Sequence, residues 1–329
     1  MAAYGLKTQI WNNNLKSGLL LAGFPILLSG LLFALVLIFQ VMGGNANDLR
    51  SGFYVAAMAM PSVFPLALAG AGIWFAIAFF AHQKMIDMST GAKKVARKDN
   101  PRVYNILENL CISRGMTVPN LRIIETPERN AYASGIKESS MSVTLTLGLI
   151  DGLNDEELEA VIAHELTHIR NKDVRLLVVA IIFVGIFSFA GEIMFRSMFR
   201  VNLLRNNSSR RSGGGNAGVL IVIAIAIVAI TWALAVLVRF AISRRREFLA
   251  DAGAVELTRN PDAMISALQK ISARSQIPAP PEVQQMFIHS AAKGGISGLF
   301  ATHPPIEKRI QALVMMGGQA QTHAAGPWG

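Results

Sequence analysis

A chain of 329 residues with 52% apolar and only 16% charged side chains argues against intrinsic disorder and against a wholly soluble enzyme, in which charged residues average about 25%. The single cysteine, Cys111, excludes an intrachain disulfide framework and suits a reducing compartment. The 31 basic and 21 acidic residues leave a net charge of +10, which fits a nucleic-acid binder or the basic flanks of membrane spans. The positive charges cluster beside apolar runs and no nucleic-acid motif accompanies them, so the membrane reading is preferred.

In chain order, Gly18 to Phe39 is a run of 22 uncharged residues. As a helix it spans about 33 Å, enough for a hydrocarbon core of roughly 30 Å. Lys7 and Lys16 precede it as in a signal peptide, but the run is too long for one and no small-residue cleavage site follows, which predicts a retained anchor. A second uncharged run, Ser51 to Ala81, carries Pro61 and Pro65 near its start, placing the second span at about 60–81. His82 to Lys98 then reads as a basic amphipathic connector. Pro101 to Arg114 has helical spacing, Leu121 to Glu125 is a short apolar strand, and Met141 to Leu147 alternates like a half-buried strand. Asn154 with Glu157 makes a capping box that starts a helix over 155–172.

Two further apolar runs, Leu176 to Gly191 and Gly218 to Val238, flank a polar, glycine-rich loop running from Arg205 to Asn216. The first is short for a crossing. Arginines at 196, 200, 205, 210 and 211 also break the positive-inside pattern if the pair crosses with a cytoplasmic N-terminus. Two crossings and a hairpin that dips in without crossing both remain open. Helices are predicted after Asn260-Pro261 and Pro304-Pro305, and a flexible tail over 317–329. The resulting division is a membrane anchor at 1–81, a first catalytic part at 82–175, a hydrophobic pair at 176–238, a second catalytic part at 239–316, and the tail.

His164-Glu165-Leu166-Thr167-His168 places two imidazoles on one helical face, where both can reach one ion. Glu165, rotated about 100° from His164, misses the metal and reaches a water beside it, as a general base requires. Catalytic zinc takes three protein ligands. The metzincin extension fails, because Asn171 stands where glycine is needed and Val174 where a third histidine belongs. Glu247 is the best downstream third ligand, and Asp251, four residues on, can hydrogen-bond a ligand histidine. Any even number of crossings between His164 and Glu247 leaves both on one side of the bilayer. His82, His289 and His323 have no partners at useful spacing and read as solvated.

Together with Asn130-Ala-Tyr-Ala-Ser-Gly135, Asn171, Asp173 and His303-Pro-Pro-Ile-Glu-Lys-Arg309, these residues resemble the HtpX family of membrane-bound zinc peptidases, gluzincins related to the CAAX prenyl proteases. The resemblance covers the first anchor through about residue 316. It implies one Zn2+ on His164, His168 and Glu247, with Glu165 catalytic. It further implies an edge strand at Asn130 and Ala131 that pairs with extended substrate, in keeping with β-augmentation. His303 is placed near the site to steady the oxyanion, or else caps its helix.

The expected fold is a predominantly α membrane protein with a small α+β zincin-like catalytic domain and two plus two transmembrane helices. The expected function is a zinc endopeptidase of the bacterial inner membrane. Its catalytic domain would be cytoplasmic and would cleave membrane or misfolded polypeptides in quality control. One alternative is a non-catalytic, zinc-stabilised chaperone or scaffold. An intramembrane protease fits poorly, because the motif helix carries Asp155, Glu156, Glu157, Glu159, Arg170 and Lys172.

Overall fold

The computed structural model describes residues 6–42, 48–178, 219, 222–223, 225–228, 245–273, 275, 286–288 and 304–318. The tail from 319, the loop at 196–211, His289, His303, His323 and most of the two apolar runs at 176–191 and 218–238 lie outside the described residues. The described part is mostly helical with one small sheet. The chain divides into two compact units: residues 1–14, 81–179 and 242–329 form one, and 15–80 with 180–241 the other.

Most of α1 (Leu6–Met42) and α2 (Leu49–Thr90) lies in the second unit; they are the two helices, among the described residues, that are long and apolar enough to cross a membrane. Ala34, Leu37, Ile38 and Ala56 form a buried contact between them. Large apolar side chains such as Tyr54, Met58, Leu66, Ile73 and Phe80 are exposed, as a helix facing lipid requires. The second span differs from its expected bounds of 60–81. Asp48 caps α2, its Oδ1 accepting from the Ser51 amide at 2.8 Å, and the helix continues through Pro61 and Pro65. Each proline deletes one backbone donor, a loss that a 42-residue helix carries without ending. No breaker follows until Gly91, whose φ of 73° ends the helix, so most of the expected connector is its last turns. His82, expected in solvent, is buried on this stretch.

The first unit has a four-stranded sheet in the order β1-β2-β4-β3: β1 (Lys93–Lys94), β2 (Asn120–Ile124), β3 (Ala131–Ser134) and β4 (Ser142–Thr146). Only the central pair, β2 and β4, is parallel. β4 was expected to be half-buried, yet all five of its residues are buried. Val143 and Leu145 enter the main core, while Ser142 and Thr144 lie under Arg122 and Tyr132. The last turns of α2 cover that second layer, with Asp87 paired to Arg122 and Thr90 hydrogen-bonded to Tyr132 at 3.0 Å.

Helix α3 (Pro101–Arg114) starts on the Asn100 side chain and buries Cys111; α4 (Leu147–Gly152) is a short turn after β4. The central element is α5 (Asp155–Arg170), packed on α3, on β3 and β4, and on α6 (Arg245–Thr258) and α7 (Pro261–Ser272). Helix α8 (Ile306–Met315) closes the core against α6 and α7.

Candidate metal centre

The position of α5 is fixed at its first turn. Asn154 Oδ1 accepts from the Glu157 amide and Glu157 Oε2 from the Asn154 amide, both at 2.9 Å. Ser266 and Lys270 of α7 also donate to the same carboxylate, at 2.6 and 2.7 Å. Burial would push the Glu157 carboxyl up, but these donors outweigh it and hold it below the usual carboxylate range. Two turns further on, His164, Glu165 and His168 are all buried.

His164 Nε2 and His168 Nε2 lie 3.2 Å apart, and the Glu247 carboxylate reaches them at 3.8 and 3.6 Å respectively. All three ligand atoms lie within 4.8 Å of one another. The outer nitrogens are both engaged: His164 Nδ1 by Asp251 and His168 Nδ1 by Asp173, each at 2.9 Å. With those N–H groups donated to carboxylates, both Nε2 lone pairs face one point. Two lone pairs and a carboxylate meeting in a buried place repel unless a cation lies between them. Tetrahedral zinc with bonds near 2.0–2.1 Å has ligand–ligand edges of about 3.3 Å, so the residues fit this ion.

Loop and packing details deliver the outer carboxylates. α5 ends at Asn171, and Lys172 adopts a left-handed φ of 60° that returns Asp173 to His168. On α6, Glu247 and Asp251 are one turn apart. Gly253 lies so close to Thr167 that an added Cβ would sit 2.4 Å from its Cγ2. This close approach carries Glu247 to the histidines.

Glu165 lies beside the three-residue cluster. Burial, with Glu247 adding to it, pushes its carboxyl up to about 7, while His168, Arg309 and the Ala133 backbone amide pull the other way. Burial likewise drives His164 down to about 4 against Asp251. His168 is held above its ordinary value because Glu247 and Asp173 outweigh burial. A cleft runs from Glu165, His168 and Glu247 past Ala133, Val174 and Leu177 to Met286, Phe287 and Ile288.

Arg309 is the central residue for which no role was expected, although it closes the 303–309 stretch. It is fully buried, and its Nε and Nη2 bind both Asp251 oxygens at 2.9 and 2.6 Å. Its Nη1 donates to Ile288 O at 2.9 Å and lies 3.7 Å from Glu247. The readable signal was an arginine on the apolar stripe of α8, between Ile306 and Leu313. Asp173 was also quoted without a role. Ala131 begins β3, at the edge of the sheet. Asn130 is buried just before it, and its side-chain amide donates to Ser275 O at 2.8 Å.

The family model for peptidase family M48 matches residues 97–316, a stretch that holds every residue of this site. A protease HtpX homolog of Bacteroides fragilis is 46% identical over 323 residues, covering 95% of this chain and 99% of that protein. Another, from Dictyoglomus thermophilum, is 37% identical over 273 residues, covering 80% and 88%. Among solved structures, Ste24p of S. mikatae gives a TM-score of 0.46 at 18% identity, over 92% of this chain and 66% of that one. On the length of the family match and the identity to the HtpX homologs, the chain belongs to peptidase family M48 and is a metalloprotease.

Proposed function

We propose that the chain is a zinc endopeptidase anchored in a bacterial inner membrane, cutting membrane or misfolded polypeptides on the cytoplasmic side. The observation that carries the reading is the convergence of His164, His168 and Glu247 with a buried carboxylate, Glu165, beside them. The anchor rests on α1 and α2, and the orientation on the basic residues Lys84, near the end of α2, and Lys93, Lys94, Arg97 and Lys98 beyond it.

His164, His168 and Glu247 would hold the zinc, and bound zinc supplies Lewis acidity at the scissile carbonyl. Asp251 and Asp173 keep the imidazoles in the Nδ1–H tautomer and fix their rings. Glu165 takes a proton from the attacking water and hands it to the leaving amine. A carboxylate poised near neutrality suits both transfers. The outer edge of β3, starting at Ala131, offers backbone groups to an extended substrate, as the resemblance implies for Asn130 and Ala131. A scaffold with purely structural zinc is not favoured: such sites take four protein ligands, and three converge among the described residues.

Glu165→Gln tests the assignment directly. The variant should bind one zinc per chain as the wild type does, while cleavage of casein falls by about 10²–10⁴-fold. Unimpaired proteolysis with zinc retained would remove Glu165 from the mechanism.

A further inference from the structure

The outer edge of β3 already has an occupant. The Ile288 amide donates to Ala131 O at 2.8 Å, the kind of bond an added strand makes, although Met286–Ile288 is itself a bent segment. Phe287 packs its ring on Tyr132 with centroids 5.3 Å apart, and Met286, Phe287 and Ile288 are all buried. The Ile288 carbonyl is held in turn by Arg309 Nη1 at 2.9 Å, the same guanidinium that grips Asp251. Both backbone groups of Ile288 are therefore tied, one to the edge strand and one to the arginine behind the metal ligands.

The amide of Ala131 is engaged as well. In an antiparallel pair, alternate residues turn their backbone groups outward. The bond from Ile288 shows that Ala131 is one such residue, so Ala133 is the next. The Ala131 amide donates to Asn130 Oδ1 at 3.0 Å, and Ala133 lines the same cleft as Glu165. The three residues Met286–Ile288 also line the cleft that holds Glu165, His168 and Glu247.

We propose that Met286–Ile288 is an intramolecular stand-in for substrate. It occupies the docking edge of β3 and must leave before a polypeptide can pair there. The inference rests on the peptidase reading above. The chemistry of the stand-in describes its replacement: a segment that pairs with Ala131 and brings a large apolar side chain to the place of Phe287, against Tyr132. An acidic side chain there would be buried against the Tyr132 ring without a counter-charge and be rejected. The preferred substrates are thus unfolded, apolar stretches, which a folded soluble protein keeps inside.

The test uses the full-length, zinc-loaded Glu165→Gln protein in detergent and an unstructured synthetic peptide carrying one phenylalanine, with an aspartate version as control. Amide hydrogen exchange is followed with and without peptide. Peptide binding should speed exchange at 286–288 at least tenfold while slowing it along Ala131–Ser134. Ile288→Pro removes the donor to Ala131 O and should tighten phenylalanine-peptide binding about tenfold, leaving zinc content unchanged. The aspartate peptide should bind at least tenfold more weakly than the phenylalanine one.

Peptide binding that protects 286–288 and β3 together would overturn the stand-in while leaving the peptidase intact. So would an Ile288→Pro protein that retains zinc and binds peptide more weakly than its parent. If neither peptide binds and the wild type cleaves nothing, the peptidase reading fails and this inference fails with it.

Discussion

Arg309 and Asp251 show how much of this site is held by groups that do not face the reaction. The pair is fully buried and bidentate, and the acid's remaining interaction fixes the His164 ring. Burial opposes the charge on Asp251, but Arg309 outweighs it and keeps the carboxyl below its usual range. Asp251→Asn would leave a buried guanidinium without its counter-charge, which typically costs about 3–5 kcal/mol. It would also free the His164 tautomer, for which a loss of about 10–100-fold in metal affinity is expected. Zinc competition titration and denaturant unfolding of the same variant measure both effects, and an unchanged zinc affinity would separate Asp251 from the metal site. Asp173→Asn should weaken zinc through His168 in the same way.

Helices bring these residues together, and α5 against α6 is the decisive contact. Gly253 lets α6 approach the Thr167 side chain, whose Oγ1 is already bound to Ala163 O at 2.8 Å. In an unhindered helix Gly→Ala gains up to about 1 kcal/mol. Here the new methyl meets Thr167, and overpacking of about 1–3 kcal/mol should reverse the sign. Gly253→Ala is expected to be less stable and to bind zinc more weakly, because Glu247 is carried away from the histidines. Adding Thr167→Ala should restore both, a double-variant comparison read by thermal melting and zinc titration. A Gly253→Ala protein more stable than wild type would show that the helices are not in tight contact. The other elements follow local rules where caps are strong: Asn100, Asn154 and Asn260 each start a helix where a side-chain oxygen accepts a backbone amide. Local rules fail where the surroundings decide, as at Pro61 and Pro65 inside α2 and at the fully covered strand β4.

For the whole molecule, His164, His168 and Glu247 are separated in sequence by a hydrophobic stretch, yet they close one cluster within one compact unit. An even number of crossings between them is the condition for that closure. The proposed orientation makes a checkable statement in intact cells. In a Cys111→Ala background, Ala46→Cys, between the first two spans, should react with a membrane-impermeant maleimide applied from outside. Ile112→Cys, exposed on α3, should react only after the cells are opened. The reverse pattern would invert the topology, and with it the compartment in which the peptidase acts.

The placement of the motif was legible in the sequence because it depends on helical periodicity alone: residues four apart share a face, and an apolar run long enough for a bilayer declares itself. Glu247 could be picked out as a downstream glutamate, and Asp251 as its neighbour one helical turn on. Only the tertiary structure decided that Arg309 and Asp173 stand behind the ligands, and that Met286–Ile288 lies along the edge of β3. These contacts join residues distant in the chain through packing and hydrogen bonds, and such pairings leave no periodic trace in the order of amino acids.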